Sequence, residues 1–198
     1  MKIRHSLRIG VVRRLFLWEE RGVGMSTMIY GVKGEDGRRL SRPLLRLAAQ
    51  RYGWGELPPL ELSPRGKPLI PGEGRWLSLS HSGGYALCAL SEHPVGVDIE
   101  LVKPHRPGLP QYCLTQERME LWDGTDGEFT RLWTLMESWC KLGDTPLYPP
   151  RKVPLPPPCP HKSYEGTGWW ASVCCQDTPP EGIIWVKLED LVEVFTTP

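Results

Sequence analysis

Apolar and polar positions follow two periods along this chain, and the switches between them mark out its elements. Residues 28–33 (Met-Ile-Tyr-Gly-Val-Lys) predict a short strand. From Arg38 to Tyr52, residues Leu40, Leu44, Leu45 and Ala48 recur at helical spacing and predict a helix with one apolar face. Ser41 is its candidate cap, with Pro43 tolerated in the first turn. The run SPRGKPLIPGEG predicts a turn-rich loop around Lys67. Trp76–Ser80 and Tyr85–Ser91 predict two strands joined by Ser-Gly-Gly, and the β-branched VGVDIE predicts a third. Three prolines and a glycine in VKPHRPGLP then break the chain. Beyond the break, helices are expected around Thr115–Trp122 and over Glu128–Leu142, the second ended by Gly143. The Pro-rich PLYPPRKVPLPPPCPH predicts extended chain without internal pairing, followed by strands near Gly168–Cys175 and Ile183–Val186. This order predicts an α+β fold made of two similar α/β halves. It divides the chain into an extension (1–27), a first half-domain (28–103) and a second (104–198). The basic, apolar extension predicts either an edge strand or sequence upstream of a start at Met25 or Met28.

Composition narrows the class only modestly. With 40% hydrophobic residues, 24% charged residues and a net charge of +1, the 198-residue chain reads as globular. Neither a nucleic-acid binder nor a membrane protein is expected, since charge is balanced and no apolar run is long enough to span a bilayer. The basic bunch in 38–51 fits an anion site or a solvated helix face. Six cysteines lack a C-x-x-C pair, which argues against a zinc site and for reduced thiols in a cytoplasmic protein.

Three groups of residues carry candidate chemistry. Asp98 and Glu100 are one residue apart on a strand, so both carboxylates face one side while Ile99 faces the core. Such a pair suits Mg²⁺, or is simply a solvated strand end. On the later helix Trp133, Glu137 and Lys141 fall on one face, either as a surface pair or as a third carboxylate with a phosphate-binding lysine. Ser80 and His81 resemble a nucleophile and its base, but neighbours in a strand point to opposite faces. No G-x-S-x-G elbow is present, so the pair fits anion binding with Lys67 better than hydrolysis.

In order and spacing, RGKPLI, LSLSHSGGYALCAL, VGVDIE and WTLMESWCK resemble the signatures of Sfp-type 4′-phosphopantetheinyl transferases. The resemblance covers about residues 38 to 142 and is closest to the small bacterial forms. It implies a pseudo-symmetric pair of half-domains with the active site between them, on a cytoplasmic monomer. The implied reaction is that of a holo-[acyl-carrier-protein] synthase. The phosphopantetheine arm of coenzyme A passes to a serine of an apo acyl or peptidyl carrier protein, with Mg²⁺, releasing adenosine 3′,5′-bisphosphate. Carried over by position, Asp98, Glu100 and Glu137 match the metal ligands, and Glu137 is also the candidate base. Lys141 matches the lysine at the pyrophosphate, while Lys67, Ser80 and His81 match residues at the nucleotide end. Arg38, or else Arg39, is the expected arginine there.

Two departures stand out. Met136 occupies a position where the family often has lysine, and the element around Thr115 and Glu117 is one residue short. Glu117 is therefore an extra ligand or carrier contact at most. The Met136 departure keeps open a weakened homologue that binds coenzyme A or a carrier without transfer. A metal-dependent phosphohydrolase is the remaining alternative, and it would need more histidine or acidic ligands than the chain offers.

Overall fold

A computed structural model describes residues 26–193, apart from 73 and 121. The expectations for residues 1–25, including Met1 and Met25 as starts, fall outside the described residues.

The first strand, β1, runs Met28–Lys33 and leads into α1, Gly37–Arg51. Two short strands follow, β2 (Glu61–Leu62) just before the stretch expected to be loop and β3 (Pro68–Leu69) within it. Strands β4 (Trp76–Ser82), β5 (Tyr85–Ser91) and β6 (Val95–Leu101) stand where the alternation predicted them. The expected helix around Thr115–Trp122 is instead two short ones, α2 (Leu109–Cys113) and α3 (Gln116–Met119). Helix α4 runs Asp126–Gly143. The chain closes with β7 (His161–Gly166), β8 (Trp169–Cys175), β9 (Ile184–Trp185) and α5 (Asp190–Glu193). Strand β7, with its mixed polar sequence HKSYEG, carries no apolar alternation and was not legible in the pattern.

Helix boundaries follow local chemistry. Asp36, not Ser41, caps α1, because its carboxylate accepts the Arg38 N–H at the turn into the helix. Ser41 lies inside the helix, where its hydroxyl donates to the Gly37 carbonyl one turn back. Thr125 caps α4 by accepting the Glu128 N–H. At the other end the left-handed residue is Asp144, one beyond Gly143.

The strands form a sheet of order β4-β5-β1-β9, another of order β6-β8-β7, and the small β2-β3 pair. Helix α1 buries Leu44, Leu45 and Ala48 against Tyr30, Val32, Cys88 and Leu90 on the outer face of the first sheet. Between the sheets, Ile29, Leu87 and Ala89 meet Val95, Val97, Ile99, Ala171 and Val173. Helix α4 covers the other face of β6 and β8. The result is four layers, helix on sheet on sheet on helix, in the mixed α+β class that the sequence predicts. The two sheets do not divide at residue 103: β6 joins β8, and β9 returns to pair in parallel with β1. Among the described residues, no helix is long and apolar enough to cross a membrane.

Two glycines permit the approaches on which the site depends. A Cβ on Gly96 of β6 would lie 2.0 Å from the Ser138 carbonyl oxygen, so only glycine lets α4 come this close. A Cβ on Gly84 would lie 2.1 Å from the Gly34 oxygen, and that contact seats the start of α1 on the β4–β5 turn. The Gly34 and Gly37 N–H groups donate there to Gly84 and Gly83, each at 2.9 Å.

Candidate active site

Strand β6 turns Val97 and Ile99 into the core between the sheets and sends Asp98 and Glu100 towards α4. Asp98 is 3% exposed. Its Oδ1 accepts the Lys141 ammonium at 2.6 Å and the Ser80 hydroxyl at 2.7 Å. Lys141 also donates to Ser80 Oγ at 3.1 Å, which closes a three-membered cluster. Asp98 Oδ2 is buried with no hydrogen-bond partner among the described residues. The ion pair of Lys141 thus crosses to β6, instead of staying on the helix with Glu137 as a surface pair would.

The other two carboxylates belong to the same electrostatic neighbourhood. Burial raises the Glu137 carboxyl above its ordinary value, the Asp98 and Glu100 charges add to the shift, and Lys141 opposes it. Burial likewise raises Glu100; the hydrogen bond from Ser82, at 2.7 Å, opposes this, while Asp98 adds to it. The carboxylates thus crowd together, and the neighbouring charges push Glu100 and Glu137 in the same direction as burial does.

Lys67 reaches the end of α4 from the turn between β2 and β3. Its ammonium donates to the carbonyls of Val95 (3.3 Å) and Lys141 (2.5 Å), fastening the start of β6 to the end of α4. His81 sits beside Ser82 at the opposite end of β6, whose seven residues span roughly 20 Å. The structure therefore brings Ser80 to Asp98, sets Lys67 at the pocket that Glu137 and Lys141 also line, and leaves His81 apart. His81 is exposed on the α1 side of edge strand β4. Arg38 and Arg39 are exposed on the first turn of α1, near the same β4–β5 turn, with Arg39 paired to Asp36 at 3.4 Å. A pocket of about 280 Å³ opens beside the cluster, lined in part by Lys67, Leu79, Glu137, Lys141, Asp144 and Leu147.

Burial lowers Lys67 from an ordinary 10.5 to about 8, with Asp144 opposing the shift and Lys141 adding to it. Between those values the unfolded chain holds a proton that the folded one has released, so stability from this group rises with pH. The neutral amine keeps two N–H donors, enough for both carbonyls. Compared with Lys67→Met, the wild type should therefore gain relative stability between about pH 8 and 10, measured by urea unfolding at each pH. A difference flat across that window would refute the assignment.

The two departures resolve differently. Met136 is fully buried, packed in the apolar cluster with Leu132, Leu135 and Phe129. It extends the core face of α4, so the residue that stands in for lysine here faces away from the acids. Glu117 lies exposed on α3, where the Thr115 hydroxyl holds its carboxyl below the ordinary value. Sequence reasoning missed Ser82, although the period-two Ser78, Ser80 and Ser82 were visible in LSLSHS.

Whether the acids suit a divalent cation can be tested on their surroundings. Among the described residues, no three His, Cys, Asp or Glu side chains gather closely enough to hold a metal as they stand. The donor chemistry nonetheless fits a hard cation: an orphaned buried carboxylate oxygen and two further acids whose mutual repulsion a cation would relieve.

No protein-family model matches the chain. It is 28% identical, over 178 residues, to the 4′-phosphopantetheinyl transferase ffp of Bacillus subtilis, covering 78% of this chain and 74% of that protein. To the 4′-phosphopantetheinyl transferase Sfp of Bacillus subtilis (strain 168) it is 29% identical with the same coverage. A further 4′-phosphopantetheinyl transferase of Bacillus subtilis is 32% identical over 120 residues, covering 54% of this chain and 52% of that one.

Proposed function

We propose, from its similarity to 4′-phosphopantetheinyl transferases, that the chain transfers the 4′-phosphopantetheine arm of coenzyme A to a serine of an apo carrier protein. The observation that carries this reading is the buried Asp98–Lys141–Ser80 cluster, with Glu100 and Glu137 beside it. The carrier hydroxyl attacks the β-phosphorus of coenzyme A. The bond from that phosphorus to the bridging oxygen breaks, and adenosine 3′,5′-bisphosphate leaves with the oxygen. Glu137, whose carboxyl burial makes more basic than usual, takes the hydroxyl proton. Lys141 offsets the charge that grows on the departing phosphate. Asp98, Glu100 and Glu137 would hold Mg²⁺, which when bound adds further charge neutralisation at the pyrophosphate.

His81 and Arg38 or Arg39 are the proposed nucleotide contacts, so that coenzyme A lies across the edge of β4. Lys67 steadies α4 and keeps one donor for the pocket. In this reading the active site is built from β6, the helix α4 that covers it and the edge strand β4.

The test incubates the full chain with coenzyme A, Mg²⁺ and a panel of fatty-acid, polyketide and peptide apo carriers, and weighs the carriers. One carrier should gain a single arm, with adenosine 3′,5′-bisphosphate released in equal amount. Binding of coenzyme A with no gain on any carrier would identify a binding module and overturn the proposal.

A further inference from the structure

Strand β4 presents three hydroxyls at period two, and each accepts an N–H from the free edge of β6. Ser78 accepts from Val97 at 3.0 Å, Ser80 from Ile99 at 3.3 Å and Ser82 from Leu101 at 3.2 Å. The offset between partners is constant, so the two strands run parallel and in register, with side chains replacing a backbone ladder. Without these hydroxyls the N–H groups of an edge strand would lie buried against β4 unpaired.

Two of the three rungs do a second thing. Ser80 donates to Asp98 and Ser82 donates to Glu100, each at 2.7 Å. In both cases the acid directly precedes the residue whose N–H the serine accepts. Ser78 has no such acid, because Gly96 precedes Val97. The same rung therefore occurs with and without a carboxylate on it. Asp98 is held by Lys141 as well, whereas the hydrogen bond that orients Glu100 comes from Ser82. The N–H of Leu101 fixes one side of the Ser82 oxygen, which aims its proton at Glu100 Oε2.

Resting on the transferase reading, we propose that Ser82 is a positioning residue. Its hydroxyl fixes the Glu100 carboxylate by one oxygen and leaves the other to a divalent cation. Hydrogen-bond partners of metal-binding carboxylates typically change affinity 10–100-fold when removed. Threonine keeps the hydroxyl and suits a strand.

Mn²⁺ is the probe, its free fraction read by electron paramagnetic resonance on the full chain. Ser82→Ala should weaken Mn²⁺ binding by about tenfold, and Ser82→Thr should restore most of it. Ser78→Ala, which removes a rung but touches no acid, should lower the melting temperature and leave Mn²⁺ affinity unchanged. In the transfer assay, Ser82→Ala should raise the Mg²⁺ concentration needed for half-maximal rate more than it lowers kcat. The proposal is overturned if Ser82→Ala binds Mn²⁺ like the wild type, if threonine fails to rescue, or if Ser78→Ala weakens binding equally. A wild type that neither binds Mn²⁺ nor transfers sinks the transferase reading and this proposal together. One that does both, beside an unaltered Ser82→Ala, sinks this proposal alone.

Discussion

Asp98→Asn is expected to slow arm transfer by about 10²–10³-fold, the range seen when one preorganised electrostatic group is lost from an active site. The replacement has the same shape and keeps an oxygen for Ser80 and Lys141, so it removes charge and little else. That charge is buried, at 3% exposure, and its second oxygen has no partner among the described residues. Lys141 is 29% exposed and can turn its ammonium to water or to Glu137. The fold should therefore lose less than the roughly 3–5 kcal/mol typical of a stranded, fully buried partner. Single-turnover mass measurement of the carrier, with a thermal melt in parallel, separates the two effects. A rate within a few-fold of the wild type would remove Asp98 from the mechanism.

Gly96→Ala is expected to have the largest effect on the fold. The new methyl would lie 2.0 Å from the Ser138 oxygen, 2.4 Å from the Leu142 nitrogen and 3.0 Å from the Lys141 carbonyl carbon. All three are backbone atoms of α4, so no side chain can swing aside. The helix must move off β6, and Glu137 and Lys141 move with it. Overpacking of this kind costs about 3 kcal/mol, set against the few tenths to 1 kcal/mol that alanine gains from a less free unfolded chain. A displacement near 1 Å at the reacting groups should also lower the transfer rate by about 10²-fold. Urea unfolding and the transfer rate check the two halves of this expectation. A variant as stable as the wild type would mean that α4 does not rest on Gly96.

Part of the site was legible because strand parity is a local property. Asp98 and Glu100 share a face of β6 whatever the rest of the chain does, and Ser80 and His81 must part. Helical spacing likewise placed Glu137 and Lys141 on one stripe of α4. What each side chain would meet was not legible. Lys67 stands in its motif as expected, yet two of its donors go to carbonyls of Val95 and Lys141, 28 and 74 residues away in sequence. Met136 invited comparison with a lysine, but its direction depended on which side of α4 the short helices α2 and α3 would cover. Ser82 lay in plain view in a period-two run, and only the neighbouring strand gave its hydroxyl something to hold.

The sequence by itself determined the strand and helix periods, the mixed class, the pairing of carboxylates on one strand face and the motif order that carries the family resemblance. These are short-range properties, carried by spacing and side-chain type within a few residues. The tertiary structure decided that β6 joins the later sheet and that β9 returns to the first. It also decided that Lys141 meets Asp98 across 43 residues, and that a serine ladder joins the sheets. Those outcomes depend on which apolar faces bury one another and on where a glycine allows two backbones to touch. Both are set by the packing of distant segments, and local periodicity carries no record of them.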